Sequence, residues 1–188
     1  MPSAMSSVAF HCTCGSTAGE VRVGRNTGTH TRCHCVLCNR AMSHYSEPRT
    51  RAEGVELFQT TPDKISMLQG ADNLVAVKVS PNDMIRWVAG CCDTLLFITP
   101  VDVRSSLVGI VLDNVDDMEP FGPVVADSYV GTGDEKGRHQ KGWRIASGLV
   151  SRGLRARLKG TWKDTIFFDP DTGAPAVEPV LLPRSTGR

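Results

Sequence analysis

The sequence predicts a mainly β fold, because short runs rich in β-branched and aromatic residues alternate with turn sequences along most of the chain. The 188 residues include 18 glycines and 11 prolines, which is typical of many short strands joined by turns rather than of a helix bundle. Seven cysteines fall into three tight groups, around residues 12, 35 and 91. The length suits one domain, or one domain with an extension.

The predicted elements follow from this alternation in chain order. They are strands at residues 6–12, 19–25 and 30–33, a helix at 36–45, strands at 55–60, 64–69, 74–79, 85–89, 95–98 and 107–112, a helix at 143–158, and a last hairpin formed by 166–168 and 177–182. The strands between residues 55 and 89 are separated by Thr-Pro-Asp, Gly-Ala-Asp-Asn and Ser-Pro-Asn-Asp turns, so we expect an antiparallel meander. Residues 131–142 are predicted to form a mobile loop, and residues after Arg184 to be frayed.

Charges are segregated in the C-terminal half of the chain. Residues 113–135 contain seven acidic and no basic residues, whereas residues 136–163 contain nine basic and no acidic residues. We expect an amphipathic helix here that docks its apolar side on the sheet, with its arginines solvated or paired with the acidic loop. We prefer this interpretation to a nucleic-acid surface because only Trp143 and Trp162 offer aromatic stacking among the charges.

Cys33, Cys35 and Cys38 lie within six residues, which is a spacing typical of metal ligands. Zinc prefers such sulfur ligands, at about 2.3 Å in a tetrahedral arrangement. Three protein ligands leave one position free for water or a substrate atom, as in catalytic sites. The alternative is that these cysteines are small buried apolar residues, which the spacing makes the weaker interpretation.

The other four cysteines form two pairs, Cys12 with Cys14 and Cys91 with Cys92. Joining these pairs gives a closed four-sulfur site of the kind that stabilises a fold. The alternative is that Cys91 or Cys92 only fills space in the core, since neighbouring residues on a strand point to opposite faces.

Three motifs carry a resemblance to a known family. The sequence has His-Cys-Thr-Cys-Gly at residues 11–15, Cys-His-Cys-Val-Leu-Cys at 33–38, and Arg86-Trp87 leading into Cys-Cys-Asp-Thr-Leu-Leu at 91–96. Over about residues 8–100 it resembles the glutathione-dependent formaldehyde-activating enzymes, a family that includes the centromere protein V relatives. This resemblance implies a β-tent of antiparallel sheets built around zinc, with one closed structural site and, in enzyme members, a second zinc on the Cys-x-Cys-x-x-Cys run.

The resemblance also implies roles for individual cysteines. Cys12, Cys14 and Cys92 match structural zinc ligands, and Cys33, Cys35 and Cys38 match the reactive-site triplet. The family has a further cysteine at the position of Ala89 and a glycine at that of Asp93, and this chain has Cys91 instead. Cys91 is therefore the best candidate for the fourth structural ligand.

These observations lead to a predicted organisation and function. We expect a zinc-binding β-tent domain at 1–104 and a C-terminal extension at 105–188 that packs on it and contains the amphipathic helix. The resemblance implies a carbon-sulfur lyase-type enzyme that acts on an adduct of an aldehyde with glutathione or another small thiol. Cys33, Cys35 and Cys38 would hold the catalytic zinc, and Arg32 or Arg40 would bind a carboxylate of the thiol. The alternative is a non-catalytic, zinc-stabilised binding or scaffold module that uses the basic segment 136–163 for a partner.

The histidines are weaker candidates for the site. His11 and His34 sit beside candidate ligands, so their side chains should point away from the metal. His44 follows Cys38 by six residues and is a candidate proton shuttle or fourth ligand, although a surface position is commoner. His30 and His139 have no motif around them.

The expected surroundings are a reducing cytoplasm, in which seven cysteines serve as ligands rather than in disulfides. The formal net charge of +1 gives no indication of a nucleic-acid partner, and no run approaches the eighteen apolar residues of a membrane span. Residues 1–7 lack the features of a signal peptide. We expect a small thiol or aldehyde as partner, no membrane and no nucleic acid, and the sequence leaves a homo-oligomer open.

Overall fold

The computed structural model describes residues 5–45, 52–131 and 138–182. Twelve strands and two α-helices are assigned within these ranges. They are β1 (Ser6–His11), β2 (Ala18–Val23), β3 (Gly28–Cys33), α1 (Val36–Tyr45), β4 (Val55–Thr60), β5 (Ile65–Gln69), β6 (Leu74–Lys78), β7 (Ile85–Ala89), β8 (Thr94–Thr99), β9 (Val108–Val111), β10 (Ala126–Val130), β11 (Arg138–Gln140), α2 (Gly142–Lys159) and β12 (Val180–Leu181).

The strands form a small sheet and a large sheet within the described part of the chain. The small sheet is antiparallel and has the order β1-β2-β5. The large sheet has the order β11-β10-β3-β4-β9-β8-β7-β6-β12, and it is antiparallel except where β10 pairs with β3 and β12 pairs with β6. The predicted mainly β class with cysteine clusters is therefore confirmed.

The central strands β7, β8 and β9 of the large sheet are buried along their whole length, which explains why most of their residues are apolar. One face packs against the small sheet through residues such as Phe10, Phe58 and Trp87. The other face packs against α1 through Ala41 and Met42. Since successive strand residues alternate between faces, Cys33 belongs to the α1 side of the sheet.

The C-terminal residues complete this architecture. Strand β9 lies between β4 and β8 in the large sheet. Phe167 is fully buried, and its ring centroid lies 5.1 Å from that of Trp87 and 5.2 Å from that of Phe97. The expected boundary at residue 104 thus separates two hydrogen-bonded neighbours of one sheet, β8 and β9.

Both predicted helices are present, and α1 has the predicted bounds. The meander prediction was wrong, because β4 and β5 lie in different sheets and only β6 and β7 pair directly. The hairpin prediction was also wrong: residues 180–181 pair in parallel with β6, and Phe168 makes an isolated bridge to Pro175 instead. Of the predicted mobile loop, residues 138–140 form β11, while residues 132–137, like the tail after Arg184, lie outside the described residues.

The orientation of α2 differs from the prediction. Val150, Leu154 and Leu158 are exposed, whereas Arg152 and Ala156 are buried. The face that meets the rest of the molecule carries Ile145, Leu149, Arg152 and Ala156, whereas the larger apolar group Val150, Leu154 and Leu158 is exposed. Neither α2 nor any other described helix is long and apolar enough to cross a membrane.

We predict that Phe167→Ala lowers the free energy of unfolding by about 3–5 kcal/mol, because the variant leaves a cavity between Trp87 and Phe97. Urea unfolding followed by tryptophan fluorescence and by circular dichroism checks this. Val177→Ala, at a partly exposed position, is the control and should change stability by less than about 0.5 kcal/mol. A small effect of Phe167→Ala would show that the C-terminal residues are not part of the core.

Candidate metal centres and the adjoining cleft

Four cysteine sulfurs meet where the small sheet reaches the turn between β7 and β8. Cys12 and Cys14 follow β1, and Cys91 and Cys92 form the turn. The Sγ of Cys12 lies 3.6 Å from that of Cys14 and 3.7 Å from that of Cys91, and the Sγ atoms of Cys14 and Cys91 are 3.5 Å apart. Tetrahedral bonds of about 2.3 Å place sulfurs about 3.8 Å apart, so this group could hold a metal ion.

Hydrogen bonds hold these sulfurs in place. The backbone N–H of Thr17 donates to Cys12 Sγ at 3.3 Å, and Thr94 Oγ1 lies 3.1 Å from Cys92 Sγ. Hydrogen bonding with Ser16 lowers the pKa of Cys14 to about 6. A thiolate is the form that binds metal, so these contacts favour ligation.

The other three cysteines meet at the junction of β3 and α1. Cys33 ends the strand, Cys35 immediately precedes the helix, and Cys38 lies in its first turn. Their three sulfurs lie within 4.8 Å of one another, and the backbone N–H of Cys38 donates to Cys35 Sγ at 3.2 Å. A chain that leaves a strand and enters a helix at once can therefore aim all three sulfurs at one point.

The three thiols share protons unequally. Hydrogen bonds from Cys33 and Cys38 lower the pKa of Cys35 to about 2, and the positive charge of Arg86 acts in the same direction. The same hydrogen bond to Cys35 is the main reason that the pKa of Cys33 rises to about 12. The pKa of the buried Cys38 rises as well, through its hydrogen bonds to Cys33 and Cys35. Hydrogen bonds within the cluster thus favour a thiolate among the three sulfurs, which is the form that binds a metal ion.

The three-cysteine group lines a cleft of about 590 Å³ on the α1 side of the large sheet. The C-terminal part of the chain helps to form the walls through Leu107, Tyr129, His139 and Ile145, and it leaves the cleft open. The four-cysteine group lies elsewhere, at the edge of the small sheet. The two groups therefore differ in a way that matters chemically: one is closed by four sulfurs and the other has three sulfurs facing a cleft.

Arg86 is the cation of this cleft. It lies on β7, is 1% exposed and lines the cleft together with Asp83, to which its Nη1 donates a hydrogen bond. Nη1 also donates to the carbonyl oxygen of Met84 at 3.0 Å, while the buried Nε has no hydrogen-bond partner in the described part of the chain. The sequence contained a signal for it, since Arg86 is a lone charge within an apolar strand and such residues are seldom buried without a role.

Tyr129 and His139 also line the cleft, at the place where β10 and β11 pair irregularly. Their rings make an edge contact with centroids 4.7 Å apart, and Tyr129 has a left-handed backbone with φ of 58°. Burial and the charge of Cys35 raise the pKa of Tyr129, so its hydroxyl stays protonated at neutral pH. Sequence reasoning missed both residues, because no motif surrounds them.

The arginines expected at the site are placed differently. Arg32 neighbours Cys33 on β3 and so points to the opposite face of the sheet, where its Nη2 pairs with Glu56 Oε1 at 2.5 Å. Arg40 lies on α1 and is not among the residues that line the cleft. The expectation that either arginine binds a carboxylate beside the cysteines therefore finds no support in this geometry, and Arg86 occupies that place.

The histidines mostly point away from the sulfurs, as expected. His34 Nε2 lies 3.1 Å from Asp127 Oδ1, and His11 Nε2 lies 3.1 Å from Asp116 Oδ1. The rings of His44 and Tyr45 make an edge contact, and His44 is not within ligand distance of the three cysteines. Among the described residues, no histidine joins either sulfur group.

The fold and the two sulfur groups define a mainly β protein with one closed and one open candidate metal site. The chain belongs to a family of unknown function, DUF6151, whose model matches residues 5–134. That range includes all seven cysteines, Arg86 and Tyr129, but not α2. This family match does not name the formaldehyde-activating enzymes, so the resemblance to them stays a prediction from the motifs.

Comparison with solved structures shows limited similarity to this chain. A crystal structure of a Rhodobacter sphaeroides protein, determined in a structural genomics effort, matches with 17% identity and a TM-score of 0.44, covering 62% of this chain and 96% of that chain. No protein with a curated description matches the chain.

We predict that protein prepared without chelator contains between one and two metal ions per chain and that the two sulfur groups respond differently to substitution. Cys14→Ser should unfold the domain, because a closed structural site contributes on the order of 10 kcal/mol to folding in small domains. Cys35→Ser should remove one ion and leave the fold intact. Elemental analysis and circular dichroism check both variants, and equal destabilisation by the two substitutions would contradict this division of the cysteines.

Proposed function

We propose that this protein is a zinc-dependent enzyme that joins a small thiol to an aldehyde and cleaves the product again. The observation that carries this proposal is that three sulfurs within 4.8 Å of one another line an open cleft. A cleft of about 590 Å³ is in the usual range for small-molecule sites. The motif resemblance supports glutathione as the thiol and formaldehyde as the aldehyde.

The choice of zinc rests on the ligands. Both groups offer only sulfur, which zinc accepts readily, and the sulfur spacing of the four-cysteine group matches tetrahedral zinc-sulfur geometry. We assign a structural zinc to Cys12, Cys14, Cys91 and Cys92, and a second zinc to Cys33, Cys35 and Cys38. When bound at the open group, zinc supplies a free coordination position and lowers the pKa of a thiol that occupies it.

The reaction needs few further groups. The sulfur of the thiol forms a bond to the aldehyde carbon, and the carbonyl oxygen takes up the proton that the thiol has released, which gives a hemithioacetal. In the reverse direction the carbon-sulfur bond breaks and the proton returns to sulfur. Tyr129 and His139 line the cleft, and we assign this proton transfer to them because a phenol and an imidazole can each give a proton to the carbonyl oxygen and take it back.

Arg86 provides the charge that the open site needs. Three thiolates and one divalent ion carry a net charge of about −1, which weakens the attraction for an incoming thiolate. The guanidinium of Arg86 lines the same cleft and lowers the pKa of Cys35 although it pairs with Asp83, so its positive charge acts on the sulfur group. It is also the cation best placed to attract a carboxylate of glutathione.

A binding module remains the second candidate function, and one observation favours it. Trp143, Val150, Leu154 and Leu158 are exposed on α2, within the basic segment 136–163. Basic and apolar side chains on one exposed helix fit an acidic amphipathic helix of a partner protein. In that case both zinc ions would be structural, and substitutions in the cleft would leave the function intact.

We predict that the zinc-loaded protein accelerates exchange between glutathione with formaldehyde and their S-hydroxymethyl adduct, measured by NMR exchange spectroscopy. Cys35→Ser should abolish the acceleration, because it loses the metal of the open group. The rate should fall as the pH is lowered, since the incoming thiol then keeps its proton. Exchange no faster than in buffer, with glutathione still perturbing signals near Cys33 and Cys38, would mean that the site binds thiols without turning them over; no perturbation at all would favour the binding module.

We predict that Arg86→Met shifts the pH dependence of this exchange to higher pH. A nearby cation lowers the pKa of a thiol, so its removal leaves the incoming thiol protonated up to a higher pH. Arg86→Lys keeps the charge and is the control, with a pH dependence close to that of the wild type. The same pH dependence in Arg86→Met would show that Arg86 serves only to hold Asp83.

A further inference from the structure

The buried side of α2 presents an arginine to the rest of the molecule. Arg152 is 8% exposed, whereas Val150 and Leu154 on the same helix are 70% and 57% exposed. The docked side of α2 therefore combines the partly buried Ile145 and Leu149 with Ala156 and one charged residue, Arg152. The position of Arg152 therefore needs a separate explanation.

The guanidinium of Arg152 has few hydrogen-bond partners within the described part of the protein. Its Nε and Nη2 atoms are buried and have no hydrogen-bond partner among the described residues. Burial lowers its pKa to about 10, so the group is still charged at neutral pH. Two buried donor atoms without a partner favour an anion beside this guanidinium, and Asp63, which lines the same cleft, also has a buried Oδ1 without a partner among the described residues.

Gly148, one turn earlier on α2, makes room for this arginine. A Cβ at Gly148 would lie 2.9 Å from Arg152 Nη1 and 2.9 Å from Thr29 Oγ1. Glycine is less favourable than alanine inside a helix. Here it allows the guanidinium to lie between the helix and β3.

Arg152 lies between two clefts: one of about 600 Å³, which it lines with Gly148 and Thr29, and one of about 330 Å³, between α2 and the segment around Lys64. Four more basic residues line the smaller cleft: Arg25, Lys64, Arg155 and Lys159. The acidic residue that lines it, Asp63, pairs with Lys64. Five cations face one acid, so the cleft as a whole attracts anions.

We propose that this cleft binds the terminal phosphate of a small phosphate monoester. A phosphate monoester offers three acceptor oxygens and up to two negative charges, which suits several convergent cations better than a carboxylate does. It must be a terminal group, because a phosphodiester with substituents on both sides cannot reach a side chain as buried as Arg152. This argument favours a small molecule over a nucleic acid, and it is independent of the cysteine sites.

Inorganic phosphate is the probe that tests this proposal, with thermal and urea unfolding measured at constant ionic strength. At a phosphate concentration 100 times its Kd, the unfolding equilibrium constant of the wild type should fall about 100-fold. Arg152→Met should be more stable than the wild type without phosphate, because it removes an unpaired buried charge, and should lose the specific response. Arg157→Met, at an exposed position of α2 outside this cleft, is the matched control and should respond as the wild type does.

A second variant tests the same proposal in case Arg152→Met does not fold. Gly148→Ala favours the helix and displaces the guanidinium, so it should weaken phosphate binding measured by calorimetry while the protein stays folded. The proposal is overturned if phosphate stabilises the wild type and Arg152→Met equally, which would be a general salt effect. It is also overturned if phosphate does not stabilise the wild type; if Arg152→Met is then the less stable protein, Arg152 is paired internally, and Asp63, which lines the same cleft, is the candidate partner.

Discussion

The contact between the sulfurs of Cys12 and Cys91 is the constraint on which the arrangement of the two sheets depends. It joins residues 79 positions apart, at 3.7 Å, and so connects the end of β1 in the small sheet to the turn between β7 and β8 in the large sheet. Closing a chain segment of this length has an entropic cost that hydrogen bonds at an exposed edge do not offset. A metal ion held by the four sulfurs would supply that free energy, and the core that packs between the two sheets includes Phe10, Trp87 and Phe97.

The open sulfur group depends on a different local feature, the direct passage from β3 into α1. This junction places Cys33 on the α1 side of the large sheet and Cys38 in the first helical turn. Strands β7 and β10 then contribute Arg86 and Tyr129 to the same cleft. The large sheet thus collects a sulfur group, a buried cation and a phenol from three distant parts of the sequence, although only the sulfur group forms a local motif.

This difference between a local motif and residues from distant parts of the sequence explains which features could be predicted. Ligand spacing is local, so both cysteine groups and α1 could be predicted from short motifs and periodicity. Sheet order is not local, and strands β4 and β5 gave no sign that they pair in different sheets. The roles of Arg32 and Arg86 could not be distinguished without strand register, because neighbours along β3 face opposite sides of the sheet. The outward apolar face of α2 was missed because a helical pattern shows which residues share a face, but not which face is docked.

The central claim is that the three-cysteine group binds zinc with one position open to a thiol in the cleft, and X-ray absorption at the zinc edge tests it most directly. With both groups loaded, the average zinc should have about 3.5 sulfur neighbours, because one site has four and the other has three. Addition of glutathione should raise this average to about 4 as its sulfur takes the open position. An average that stays at about 3.5, or that is already 4 before glutathione is added, would contradict the claim.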